Sequence, residues 1–173
     1  MKQSPYGSRV LITGVTGGIG LAIAELFIQN GFRVAGCSRH KSETLPEGLS
    51  WFSMDVCDDD SVRTCVEQAV QALGGIDILI HCAGMGIGGS VEDVSPEELR
   101  HQLDVNTLGF IRTARPSCPA CGHSIVGFCC PLVPLLGLSP FLINLLTAPA
   151  SLLWRRWCRR FGWKPSRLAS RPA

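Results

Sequence analysis

The chain has 173 residues, a formal net charge of +2 and 46% hydrophobic residues, the size and balance of one globular domain. So small a charge, without basic and aromatic residues interleaved along one face, argues against a nucleic-acid partner. Nine cysteines, an odd number, follow a polar start from Met1 to Arg9 that carries no secretory leader, and they read as free thiols in a reducing cytoplasm.

The first expected strand is "RVLIT" (Arg9–Thr13), rich in β-branched residues and stopped by glycine as a buried parallel strand would be. It runs into "GVTGGIG" and then a helix in which Ile23, Leu26 and Phe27 recur at helical spacing before Gly31. Strand, glycine loop and helix together aim backbone N–H groups and a positive helix terminus at phosphate. In that reading Gly14 permits the tight turn, Gly18 lets the backbone approach a pyrophosphate, and Gly20 allows close helix–strand packing. "FRVAGCSRH" is a second strand, followed by Ser38 and Arg39. No Asp or Glu lies between Phe32 and Lys41 to take a ribose 2′-hydroxyl, and arginine suits a 2′-phosphate, so NADP(H) is favoured over NAD(H).

"LSWFSMDV" is a third strand, ending at Asp55, and Asp59 to Leu73 forms an amphipathic helix through Val62, Val66, Ala69 and Leu73. "GIDILIHCAG" is a fourth strand entering a small-residue turn. "SPEEL" then opens a helix with Ser95 as N-cap, Pro96 at its first position and Glu98 closing a capping box; the same helix carries "LDVNTLGFIRTA". Strands alternating with helices predict an α/β, Rossmann-like, doubly wound parallel sheet. Its ligand belongs at the carboxyl ends of the strands, where Gly14–Gly20 and Cys82–Gly84 face one crevice.

These residues resemble the short-chain dehydrogenase/reductase family. "TGVTGGIG" (Thr13–Gly20) fits the family's cofactor loop, which brings in Thr16 and Ile19 beside the glycines. Asp55 and Val56 fit its adenine-holding site. Cys82, Ala83 and Gly84 fit its Asn-Ala-Gly motif with cysteine in place of asparagine, and Asn106 fits the helix asparagine of its catalytic tetrad. The match covers Ser8 to about Arg115. It implies hydride transfer between a nicotinamide and a small alcohol or ketone. It also implies a tyrosine base activated by a lysine four residues on, a serine orienting the carbonyl, and a proton-relay water held by Asn106. A phenol with a pKa near ~10 needs such a cation to act as a base at neutral pH. The family also forms homo-oligomers, a state left open for this chain.

The resemblance then breaks. The only tyrosine is Tyr6, no lysine occurs between Lys41 and Lys164, and "SIVGFCC" places Cys130 where the family shows a serine. Charge vanishes from Pro116 to Trp154 and returns only as Arg and Lys. Residues 1–115 are therefore expected to form the nucleotide-binding unit, truncated or disordered after about residue 115. Residues 116–173 are expected to be an apolar, then basic tail rather than a domain.

Three readings of the tail compete. A membrane segment over 125–148, the alternative to a cytoplasmic protein, is opposed by Pro131, Pro134 and Pro140. A metal or redox site in "CPACGH" lacks a second spaced cysteine pair. Out-of-frame translation accounts for most. Codons compatible with Ala148–Pro165, started two bases later, spell an amphipathic helix opened by Ser-Lys, and "INLLT" one base later permits Ser-Thr-Tyr-Ser. On any of the three, the chain as written is expected to have little or no activity.

Overall fold

A computed structural model describes residues 7–88, 90, 92–120 and 126–129. Five parallel strands, β1 (Arg9–Thr13), β2 (Arg33–Ser38), β3 (Leu49–Ser53), β4 (Ile78–His81) and β5 (Val126–Cys129), lie in the order β3-β2-β1-β4-β5. The innermost strand is β1, with Leu11 opposite Ala35 on one side and Leu79 on the other. Side chains alternate across the sheet, so its two faces carry separate cores. Val10, Ile12, Val34, Ile78 and Ile80 pack under Ile23, Ala24 and Phe27 of α1 (Gly18–Gln29). Leu11, Ala35, Cys37 and Leu79 pack under Val62, Cys65, Val66, Ala69 and Leu73 of α2 (Asp59–Leu73). Each such fully buried aliphatic contributes about 1.5–3 kcal/mol.

Helix boundaries follow their local chemistry. Asp58 accepts from the N–H groups of Asp60 and Ser61 to start α2, and Gly74 in the left-handed region ends it. Ser95 and Glu98 form the expected capping box on α3 (Pro96–Leu103), with proline in its first turn. A π-helical turn, Asp104–Leu108, joins α3 to α4 (Gly109–Ala120) without a break. The third strand stops at Ser53 rather than Asp55, because Asp55 takes the Cys57 N–H on Oδ1 at 2.9 Å and bends the chain into a turn.

Helix α4, which ends at Ala120, spans the boundary expected at about residue 115. Thr113 and Ser117 are buried and donate their hydroxyls to carbonyls one turn back, so their polarity does not oppose packing. Beyond them β5 pairs with β4, Val126 opposite Ile78. The "CPACGH" residues Cys121 to His123, the 125–148 segment apart from β5, and the "INLLT" and Ala148–Pro165 residues of the out-of-frame reading lie outside the described residues. Among the described residues no helix is long and apolar enough to cross a membrane, and no cluster of metal-binding side chains forms.

The start of β1 is pinned to the start of β4 by one ion pair. The Ser8 and Arg9 N–H groups and Arg9 Nε all donate to Asp77 Oδ2 at 2.9 Å. The same guanidinium reaches Asp77 Oδ1 and the Gly74 carbonyl. The Arg9 side chain's hydrogen bond holds the Asp77 carboxyl below its ordinary value, aided by the two backbone donors. Its stabilisation is therefore present above the unfolded-state pKa of about 3.9 and lost as pH falls through the lower folded value. Asp77→Asn should lower Tm at pH 7 by about 2–8 °C. In thermal melts that gap should close as the pH is taken below the carboxylate range.

Candidate functional site

A cleft of about 640 Å³ opens at the carboxyl ends of β1, β2, β3 and β4. Its floor is set by the end of β1. Gly14 has φ +73°, and its N–H donates to the Cys37 carbonyl at 2.8 Å. A Cβ at Gly14 would lie 2.8 Å from the Cys82 carbonyl carbon and the Ala83 nitrogen, so only glycine lets the first loop lie against the fourth. A Cβ at Gly20 would overlap the Gly14 carbonyl oxygen, which is the close helix–strand packing expected of it. Gly18 has φ +54° with open space where a side chain would stand.

Thr13 ties the loops together. It is fully buried, and its Oγ1 accepts from the Cys82 N–H at 3.1 Å and the Ala83 N–H at 2.9 Å. The same oxygen lies 3.1 Å from Nδ1 of His81. With two N–H groups already aimed at it, the hydroxyl's own proton goes to Nδ1, which places the imidazole proton on Nε2. Among the described residues Nε2 completes no hydrogen bond. Burial lowers the His81 pKa to about 4, against a smaller opposing pull from the Val105 backbone carbonyl.

The helix termini around the cleft differ in a telling way. The first turns of α2 and α3 are satisfied by Asp58 and Ser95 and carry acidic residues. The start of α1 has no side-chain cap and no acidic residue in its first turn. Its N–H groups and positive dipole end are left for an anion.

Eight of the residues expected from sequence line this cleft together: Gly14, Thr16, Arg39, Asp55, Val56, Cys82, Ala83 and Gly84. Gly18 and Ile19 stand exposed at the start of α1, and Gly20 lies buried behind the loop. Asp55 keeps one carboxylate oxygen beyond the one that takes the Cys57 N–H. Val56 is braced by Arg112, whose guanidinium donates to its carbonyl at 3.4 Å while pairing with Asp104 and Asp59. The nearby Cys57 thiol is pushed up to about 11 by burial and by its hydrogen bond to Asp104, so it is neutral. His40, Lys41 and Met85 also line the cleft and were not singled out from sequence. For Lys41 the signal existed: it continues the basic run begun by Arg39.

Asn106 is buried, and both atoms of its side-chain amide are engaged with Met85. Its Oδ1 accepts from the Met85 N–H at 2.9 Å and its Nδ2 donates to the Met85 carbonyl at 2.8 Å. Asn106 therefore clamps the loop after β4 onto the π-helical turn, an irregularity that often marks functional positions. One lone pair on Oδ1 and one N–H on Nδ2 are left over, which suits the water that the resemblance implied.

The short chain dehydrogenase family model matches residues 8–125. The 3-ketodihydrosphingosine reductase of Bacteroides thetaiotaomicron is 36% identical over 110 residues, 64% of this chain and 40% of the relative. The 3-dehydrosphinganine reductase TSC10B of Arabidopsis thaliana is 34% identical over 122 residues, 64% of this chain and 35% of the relative. This chain thus spans well under half the length of these relatives. Among solved structures, the ligand-free aldohexose dehydrogenase of Thermoplasma acidophilum superposes with a TM-score of 0.64 at 30% identity, covering 72% of this chain and 50% of that one. A tyrosine-to-phenylalanine variant of ElxO with NADPH bound superposes at 0.60 and 26% identity, covering 68% of this chain and 53% of that one.

Two outcomes test this geometry. Thr13→Val keeps the shape and strands two N–H groups and an imidazole, so it should cost about 2–4 kcal/mol in a denaturant titration. Because His81 is held neutral, its contribution is lost as pH falls from about 6.5 to 4, up to about 3 kcal/mol. His81→Asn should flatten the stability profile over that interval.

Proposed function

Because the chain belongs to the short-chain dehydrogenase family, we propose that it binds NADP(H), in preference to NAD(H), for hydride exchange with a small alcohol or ketone. The observation that carries this reading is one cleft with an uncapped helix start at one side and a cationic turn at the other. Arg39 and Lys41 are exposed there, and among the described residues neither enters an ion pair with a carboxylate. The α1 N–H groups suit the pyrophosphate, the free oxygen of Asp55 suits the adenine amine, and Arg39 suits a ribose 2′-phosphate. The names of the two reductase relatives, for 3-ketodihydrosphingosine and 3-dehydrosphinganine, favour a ketone as the substrate to be reduced.

Bound nicotinamide supplies the hydride. The proton needs a separate donor, and Tyr6 and the lysines outside the 42–163 interval do not form the required Tyr-x-x-x-Lys pair. These 173 residues therefore bind cofactor with turnover near background, and Asn106 contributes by holding the loop after β4. The out-of-frame reading of the tail supports an active product from the corrected frame. The second reading, a nucleotide-binding protein without catalysis, rests on the same missing pair. The reduced thiols of Cys37, Cys57 and Cys65 suit a cytoplasmic location.

Calorimetric titration should show NADPH binding more tightly than NADH. Arg39→Ala should remove roughly ten- to hundredfold of NADPH affinity, the worth of a charge-assisted pair, and leave NADH nearly unchanged. NADPH oxidation with a ketone panel should stay at background. Turnover matching an intact family member would overturn the inactive reading. Equal affinity for both cofactors would overturn the 2′-phosphate assignment.

A further inference from the structure

Resting on the assignment of the Arg39–Lys41 turn to a 2′-phosphate, we propose that Trp51 is a positioning residue for that turn, acting through Ser38. Trp51 lies on β3, and Ser38 is the last residue of β2. Ser38 is in register with Ser53, so Trp51, two residues earlier, is its diagonal neighbour on the same face of the sheet. The Trp51 indole Nε1–H donates to Ser38 Oγ at 2.8 Å. Ser38 Oγ in turn donates to the His40 carbonyl at 2.8 Å.

The chemistry of a hydroxyl makes this a directed chain. Serine has one proton, and here it is committed to the His40 carbonyl. Ser38 thus offers a phosphate no donor of its own, although it borders the cleft. Its role is to fix the backbone from which Arg39 and Lys41 project. The indole, half-buried against the α1 face of the sheet, keeps the hydroxyl from rotating away. Two further bonds hold the same turn: Ser53 Oγ donates to the Arg39 carbonyl at 3.5 Å, and the Met54 N–H donates to the Ser38 carbonyl at 3.0 Å. In a chain of hydrogen bonds each link polarises the next, so removing the indole weakens the bond to His40 as well.

The inference concerns cofactor choice rather than cofactor binding as a whole. The Trp51 and Ser38 side chains bond to each other and to the His40 carbonyl, whereas the link from Ser38 toward Asp55 runs through backbone, from the Met54 N–H, and survives both substitutions. Loosening the turn should therefore act on the 2′-phosphate alone.

The test is calorimetric titration of the full chain with NADPH, NADH and 2′,5′-ADP, comparing wild type, Trp51→Phe, Ser38→Ala, the double variant and Ser38→Thr. Trp51→Phe and Ser38→Ala should each weaken NADPH and 2′,5′-ADP about fivefold, leave NADH within error, and combine to no more than either alone. Ser38→Thr, which retains a hydroxyl, should restore NADPH affinity. Unchanged NADH binding shows that the variants are folded. A wild type that prefers NADPH, with variants that keep the preference, overturns this inference and leaves the 2′-phosphate assignment standing. Parallel losses of NADPH and NADH, or effects that add in the double variant, also overturn it. A wild type without preference overturns the assignment and the inference together.

Discussion

The closeness of two loops, the one after β1 and the one after β4, governs the rest of this structure. Gly14 has no side chain to hold them apart, and the buried Thr13 hydroxyl accepts both N–H groups that the second loop turns toward it. Buried backbone donors without partners each cost about 1–3 kcal/mol, so this one oxygen removes a penalty that would otherwise part the loops. Once they are together, the Gly14 N–H can reach the Cys37 carbonyl on β2, and three strand ends share one floor. Asn106 secures the far side by taking both polar groups of Met85. The cleft is thus an outcome of backbone satisfaction, with few side chains spent on its walls.

That economy leaves specific groups over. The N-cap of α1 is Gly17, which brings no side chain to cap with, so the helix start is left open. Arg112, by contrast, is fully spent on Asp104, Asp59 and the Val56 carbonyl, and Arg9 is spent on Asp77 and Gly74. Among the described residues, the cleft-lining cations without a carboxylate partner are Arg39 and Lys41, in the turn after β2. Charge is available where a phosphate-bearing ligand would lie, and neutralised where the fold needs staples.

Much of this was readable from the residues. The alternation of apolar runs and amphipathic helices located β1 to β4 and α2 closely, because period-2 and period-3.6 patterns are direct consequences of burial on one face. The Ser95 capping box was legible because its chemistry is local. Legibility failed where partners are distant in sequence. Thr13 was read as part of a loop motif and not as the acceptor for residues almost seventy positions away. The pairing of Asn106 with Met85 was not legible, because it needs the π-helical turn to exist first. Thr113 and Ser117 satisfy themselves within α4 through carbonyls one turn back, a local pairing that the residue pattern does not display. Cys65 was passed over on α2 because a buried thiol behaves as a small hydrophobe without looking like one in a pattern of branched side chains.

The same geometry separates binding from catalysis. The groups suited to a dinucleotide come from loops that follow β1, β2, β3 and β4, all within the first ninety or so residues, and their placement depends on contacts among those loops. The proton transfer that the resemblance implies depends instead on a phenol and an ammonium four residues apart, and no Tyr-x-x-x-Lys occurs in the sequence. Nothing in the Thr13 hub, the α1 terminus or the Ser38 turn requires the missing pair in order to form. On the proposed reading, cofactor affinity and proton transfer are separable, because the two are encoded in different stretches and held by different bonds.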